Sequence, residues 1–154
     1  MLIRDPRPIS LLTGESAINA ISKLSTNKID LNSENEKDRV VICDPNGRVV
    51  DAPYVVWDEN GVILLHCTTK TPDYLSAVAR TLSKNSGHVM DATGAIERYI
   101  CLEKKLPPST GLSVHGLGVS GSYSIVLNPQ NHEKYQVVDL SADLLIEIGG
   151  LTES

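Results

Sequence analysis

The side chains able to carry chemistry are few and scattered. The four histidines, His66, His88, His115 and His132, do not lie at helical ligand spacing, and none sits in an H-E-x-x-H or similar cluster. Each reads as a strand or loop residue rather than a ligand, so no metal is expected. The three cysteines, Cys43, Cys67 and Cys101, form no C-x-x-C pair. An odd, sparse count fits a reducing compartment and buried small hydrophobes. Cys101-Leu-Glu103 has no catalytic context, and there is no G-x-S-x-G nucleophile elbow. The stretch Ser113-Val-His-Gly-Leu-Gly-Val-Ser-Gly121 invites a phosphate-loop reading. It lacks the terminal Gly-Lys-Ser/Thr of a Walker loop, and no clear helix follows it as a dinucleotide fingerprint requires. A surface turn and a loop that approaches a ligand are the readings left, and His115 is the histidine best placed for the second. Asp44 and Asp51, near an Asn-Gly turn, read as serving turn geometry and solvent.

The elements that position these residues begin with a strand over Ile9 to Leu12. Thr13 can cap a helix whose first turn holds Glu15. Ala17, Ile18, Ile21 and Leu24 recur at helical spacing, which predicts helix one over about Gly14 to Ser25. Asn27 to Arg39 is polar and reads as a loop. Val40 to Cys43, Arg48 to Trp57 and Val62 to Cys67 read as three strands. Asp44-Pro-Asn-Gly47 and Asp58-Glu-Asn-Gly61 join them, because Asn-Gly accepts positive φ. The expectation is a three-stranded antiparallel meander with a bulge or edge at Pro53. Thr71-Pro-Asp73 starts a second helix with an apolar stripe of Leu75, Val78, Ala79 and Leu82. Asn85-Ser-Gly87 stops it, and His88 to Asp91 returns as a strand. The first 91 residues therefore predict an α+β fold. An antiparallel sheet with two flanking helices would form a ferredoxin-like split βαβ core with one extra strand. Beyond it, Ile96 to Leu102, Tyr123 to Leu127, Tyr135 to Leu140 and Leu144 to Ile148 are strand-like. Gly111 to Gly121 holds four glycines and is expected to be irregular.

The 154 residues, 41% hydrophobic and 21% charged, suit one domain with a single sizeable core. The net charge of −5 disfavours nucleic acid as main partner, since phosphate contacts supply most of that affinity. No stretch reaches the roughly 20 apolar residues of a membrane span, and the first eight residues hold no signal-peptide core. A cytoplasmic location is expected.

Gly14-Glu-Ser-Ala17 opens helix one and Leu24-Ser-Thr-Asn27 closes it. An acidic loop follows, then Val41-Ile-Cys-Asp-Pro-Asn-Gly-Arg-Val-Val-Asp51, Val62-Ile-Leu-Leu65 and an amphipathic helix. Over residues 9 to 91 this order resembles the N-terminal part of the folate-binding superfamily. That group includes the aminomethyltransferases of glycine cleavage and a tRNA-modifying, iron–sulfur-assembly branch. Asp91-Ala-Thr93 resembles the family's Asp-x-Ser segment, and Gly118-Val-Ser-Gly-Ser-Tyr123 its Gly-rich stretch before a Tyr-containing strand. Residues 92 to 154 read as a shortened, diverged continuation. The resemblance implies tetrahydrofolate as cofactor, a pterin-like ligand, and Asp51, Tyr54, His115 and Tyr123 as its contacts, with Asp51 as catalytic acid. The chain also departs from the pattern. Ala52 stands where the family carries a second acid beside Asp51, and the family's Gln-Gly-Pro and its Lys-Gly-Cys-Tyr signature are absent.

Three readings follow. One is a minimal folate-binding-type domain without transferase activity that binds a pterin-like ligand or a protein partner. The second is an active aminomethyltransferase working as a dimer through Asp51. The third is a scaffold that has lost the ligand. Strand edges left without neighbours are normally covered, so a homodimer or a second protein chain is expected. Light scattering at high concentration should show a species heavier than one chain, and a clean monomer would contradict this.

Overall fold

The structure, a computed structural model, describes residues 2–24, 38–44, 46–58, 61–68, 70–75, 88–101, 113–118, 121–129 and 134–139. The chain divides into two compact units, one of residues Arg7–Ala92 and one of Met1–Pro6 with Thr93–Ser154. Both are sheet-based, and the described elements make the chain α+β.

In the Arg7–Ala92 unit, β2 (Ile9–Thr13) leads into α1 (Glu15–Leu24). The helix carries Glu15 in its first turn and Lys23 in its last, each matched to the dipole at its end. Ala17 and Ile21 turn inward and are fully buried. They pack with Leu12, Val40, Ile42, Val55, Val62 and Leu64. Each large side chain in such a cluster contributes about 1.5–3 kcal/mol relative to exposure. The main sheet has the order β3-β6-β7-β2-β8, with β3 at Asp38–Arg39, β6 at Tyr54–Asp58, β7 at Gly61–Leu65 and β8 at His88–Asp91. Every pairing in it is antiparallel.

The expected meander is divided. Ile42–Cys43 (β4) and Val49–Asp51 (β5) form a two-stranded sheet of their own, and β6 joins the main sheet instead. Pro53 is the physical reason. It has no N–H to donate to a ladder, so Arg48 to Trp57 breaks into β5 and β6 on either side of Ala52-Pro53. Residues 38 and 39, read as loop, pair with β6 through Asp38↔Val55 and Arg39↔Tyr54. The first Asn-Gly turn forms as read. Asp44 Oδ1 accepts the backbone N–H groups of Asn46 and Arg48, each at 2.9 Å, and Gly47 has φ +82°. The expected second helix begins at Tyr74–Leu75, and its continuation lies outside the described residues.

In the other unit the sheet order is β10-β11-β9-β1-β12. Its strands are β1 (Leu2–Arg4), β9 (Arg98–Cys101), β10 (Ser113–Gly118), β11 (Gly121–Leu127) and β12 (Val137–Asp139). β1 runs parallel to β12 and antiparallel to β9. Leu2, Tyr99, Cys101 and Val126 form its core, and a buried ion pair joins Arg98 Nε to Asp5 Oδ2 at 3.1 Å. The described residues of the glycine-rich stretch, 113–118 and 121, are not irregular. They belong to the β10–β11 hairpin, paired from Ser113↔Val126 to Gly118↔Gly121. Backbone ladders need no side chain, so pairing overrides the weak strand preference of glycine here. The expected strand over Leu144 to Ile148 lies outside the described residues.

Two turn glycines separate backbone strain from collision. A Cβ on Gly61, at φ +148°, would strike the Leu12 carbonyl oxygen, whereas one on Gly47 would meet nothing within 4 Å. Gly61→Ala should cost more than about 2 kcal/mol and Gly47→Ala about 1 kcal/mol. Urea unfolding followed by fluorescence of Trp57, the single tryptophan, checks this; equal costs would contradict it.

Candidate functional site

The polar chemistry of the Arg7–Ala92 unit gathers around Asp51. This residue ends β5 and is fully buried, although Val49 and Val50 before it are exposed. The chain turns in at Ala52-Pro53 and takes the carboxylate with it. Asp51 Oδ1 accepts the N–H of Ala52 at 2.8 Å and that of Cys67 at 3.1 Å. Asp51 Oδ2 lies 2.6 Å from His66 Nδ1 and accepts the Tyr74 hydroxyl at 3.2 Å. A carboxylate has about four lone-pair sites, and these partners fill them.

His66 follows the last residue of β7 and is also fully buried. Its backbone N–H donates to the Pro8 carbonyl at 3.0 Å. The ring meets Tyr74 edge-on, with centroids 6.0 Å apart and planes at 62°. Its Nε2 lies 2.7 Å from Ser10 Oγ. The short contact with a carboxylate requires Nδ1 to carry a proton, since two bare acceptors at that distance would repel. In the neutral ring Nε2 is then the acceptor, and it receives the Ser10 hydroxyl. Ser10, His66 and Asp51 thus form a directed hydrogen-bond relay. The Cys67 thiol completes the surroundings by donating to the Ala52 carbonyl at 3.3 Å.

Charge follows this geometry. Burial pushes the Asp51 carboxyl up, but the hydrogen bond and charge of His66 and the N–H groups of Cys67 and Ala52 outweigh it. The carboxyl is held below its ordinary value, the charge of His66 acting only when that ring is protonated and the hydrogen bonds acting in either state. Burial, reinforced by the neighbouring Asp51 charge, raises the Tyr74 hydroxyl far above the normal phenol range, so Tyr74 stays a donor. Beside the relay lies a cleft of about 220 Å³. Ser10 and Thr71 contribute hydroxyls to it, and Pro8, Leu75, Val89 and Met90 its apolar walls.

The residues expected from the sequence are divided between the two units. Asp51 and Tyr54 belong to the Arg7–Ala92 unit, with Tyr54 buried in β6 opposite Leu65. His115 and Tyr123 belong to the other unit, on the β10–β11 hairpin, at the register positions His115↔Ser124 and Gly116↔Tyr123. Ala52 is buried. Sequence reasoning missed Ser10, His66 and Tyr74. A signal was present for His66: the Asp58–Gly61 turn fixes Tyr54 opposite Leu65, which brings the residues just before 54 near those just after 65. Among the described residues, no group of three or more His, Cys, Asp or Glu side chains is arranged to hold a metal ion. No described helix is long and apolar enough to cross a membrane.

No protein-family model matches the chain, and no curated protein sequence matches it. Solved structures do match. One is glycine cleavage system aminomethyltransferase T from Bartonella henselae, with a TM-score of 0.62 at 7% identity. The match covers 89% of this chain and 47% of that one, so the chain spans about half the length of this neighbour. At that identity the likeness is one of fold.

The depressed Asp51 carboxyl makes stability depend on pH with a definite sign. Its contribution is complete above the ordinary value of 3.8 and is lost as pH falls from there through the lower folded value. Asp51→Asn should cost roughly 3 kcal/mol near neutrality and flatten the acid limb of stability against pH. Denaturant melts across that window check it, and an unchanged acid limb in the variant would contradict it.

Proposed function

We propose that this chain is an aminomethyltransferase-like, folate-binding-type domain that binds a pterin-like ligand and does not transfer an aminomethyl group. The fold likeness to aminomethyltransferase T supports the first half. So does the order β6-β7-β2-β8 with antiparallel pairs throughout, the arrangement expected of a split βαβ sandwich. The loss of transfer rests on a single observation. All four acceptor sites of Asp51 are taken by its own chain. An acid that must anchor an amine or handle a proton on a ligand needs a free lone pair within reach of it. Asp51 could provide one only by giving up a buried donor, which costs about 1–3 kcal/mol. The neighbouring position, where a second acid would stand, is a buried alanine.

In this reading Asp51 is a structural residue that does not meet the ligand, and tetrahydrofolate is bound without turnover. Ligand binding to the native state alone stabilises it by about 2.7 kcal/mol at a hundredfold excess over Kd. The melting temperature should therefore rise by roughly 5 °C or more. One-carbon transfer from an aminomethyl donor should be undetectable. A flat melting curve at millimolar tetrahydrofolate would overturn the ligand assignment. Turnover that disappears in Asp51→Asn would overturn the loss of transfer.

A further inference from the structure

The Ser10–His66–Asp51 relay has no role in the folate reading, and its geometry is that of an activated nucleophile. Oγ to Nε2 is 2.7 Å and Nδ1 to Oδ2 is 2.6 Å, both within catalytic hydrogen-bond reach. The chain order serine, aspartate, histidine is one of those in which this constellation recurs. We propose that Ser10 is an acylatable nucleophile at the floor of the cleft, and that it accepts a short apolar acyl group from an uncharged ester.

Position, polarity and surroundings each support this. Ser10 is held between two strands, opposite Leu64 on β7 and Asp91 on β8, so the ladders on both sides fix where Oγ stands. It lines the cleft while being almost wholly buried, so a reagent reaches it only by entering the cleft. The walls of Pro8, Leu75, Val89 and Met90 suit a short aliphatic group, which a volume of about 220 Å³ accommodates. The Asp91 carboxylate on the lining disfavours anionic substrates.

The step balances without an added reagent. Ser10 Oγ bonds to the ester carbonyl carbon while its proton passes to His66 Nε2. The bond from that carbon to the alcohol oxygen breaks, and His66 returns the proton to the departing alcohol. Asp51 remains ionised throughout and stabilises the imidazolium. Water then attacks the acyl-serine by the same route. Thr71, the other hydroxyl residue on the described lining, is the candidate donor to the developing oxyanion. Each oxyanion donor is worth about 10²–10³ in rate. With an activated aryl ester, whose phenolate leaves more readily than the serine alkoxide, acylation should outrun hydrolysis of the acyl-serine.

The test uses the full chain and p-nitrophenyl acetate. We expect a burst of nitrophenolate close to one per chain, with one acetyl group mapped by peptide mass to Ser10. Ser10→Ala should abolish the burst. His66→Gln should slow acylation by roughly 100-fold. Ser10→Cys retains a nucleophile of similar size, so acylation at position 10 should persist even if the alanine variant is unstable. No burst from folded protein, acetyl found only on lysine or tyrosine, or an unchanged burst in folded Ser10→Ala would each overturn the proposal. None of these readouts depends on tetrahydrofolate, so this inference and the folate reading can fail separately.

Discussion

The Arg7–Ala92 unit is organised around one buried negative charge. Leaving a carboxylate uncompensated in an apolar interior would cost several kcal/mol. Asp51 escapes that cost because four donors converge on it from three places: the turn after β5, the residues following β7, and Tyr74 at the described start of the second helix. Segments distant in sequence are thereby tied to one atom pair. Apolar packing drives the chain together, but it tolerates sliding. A carboxylate with four fixed donors does not, and the pairing of β6 with β7 is held in register from its open end as well as from its turn.

The same constraint separates the unit from a site that presents an acid to a ligand. A carboxylate whose lone pairs are already engaged is a structural centre, and its influence reaches the surface only through what it orients. Here that is His66, and through it the hydroxyl of Ser10. The relay converts a buried charge into a directed proton acceptor at the floor of a cleft. The fold of an aminomethyltransferase is compatible with this because fold and chemistry are separable; chemistry resides in particular groups placed on the frame.

Local elements were legible in the sequence where local rules decide them. α1 and the Asp44–Gly47 turn follow from spacing and turn chemistry, β8 from its place after the Asn85-Ser-Gly87 stop, and all three form. Two readings failed because pairing is a tertiary matter. Pro53 was recognised as a disturbance, but it divides the strand between two sheets, which no local pattern encodes. The glycines at 116, 118 and 121 read as irregular, yet each finds a ladder partner. The site was the least legible part. Asp51 attracted notice for its resemblance to a family acid, whereas Ser10 and His66 are ordinary strand and strand-end residues until β2, β7 and the β5 end come together. Tyr74, three residues into a helix start, gave no sign of reaching that carboxylate.

The state of the His66 ring tests the central claim most directly. Nitrogen-15 NMR of the uncharged imidazole should show Nδ1 protonated and Nε2 bare. The Nδ1 proton should be shifted far downfield by the short bond to Asp51, and Asp51→Asn should abolish that shift. A ring carrying its proton on Nε2, or one exchanging freely between the two tautomers, would contradict the relay and with it the role assigned to Asp51.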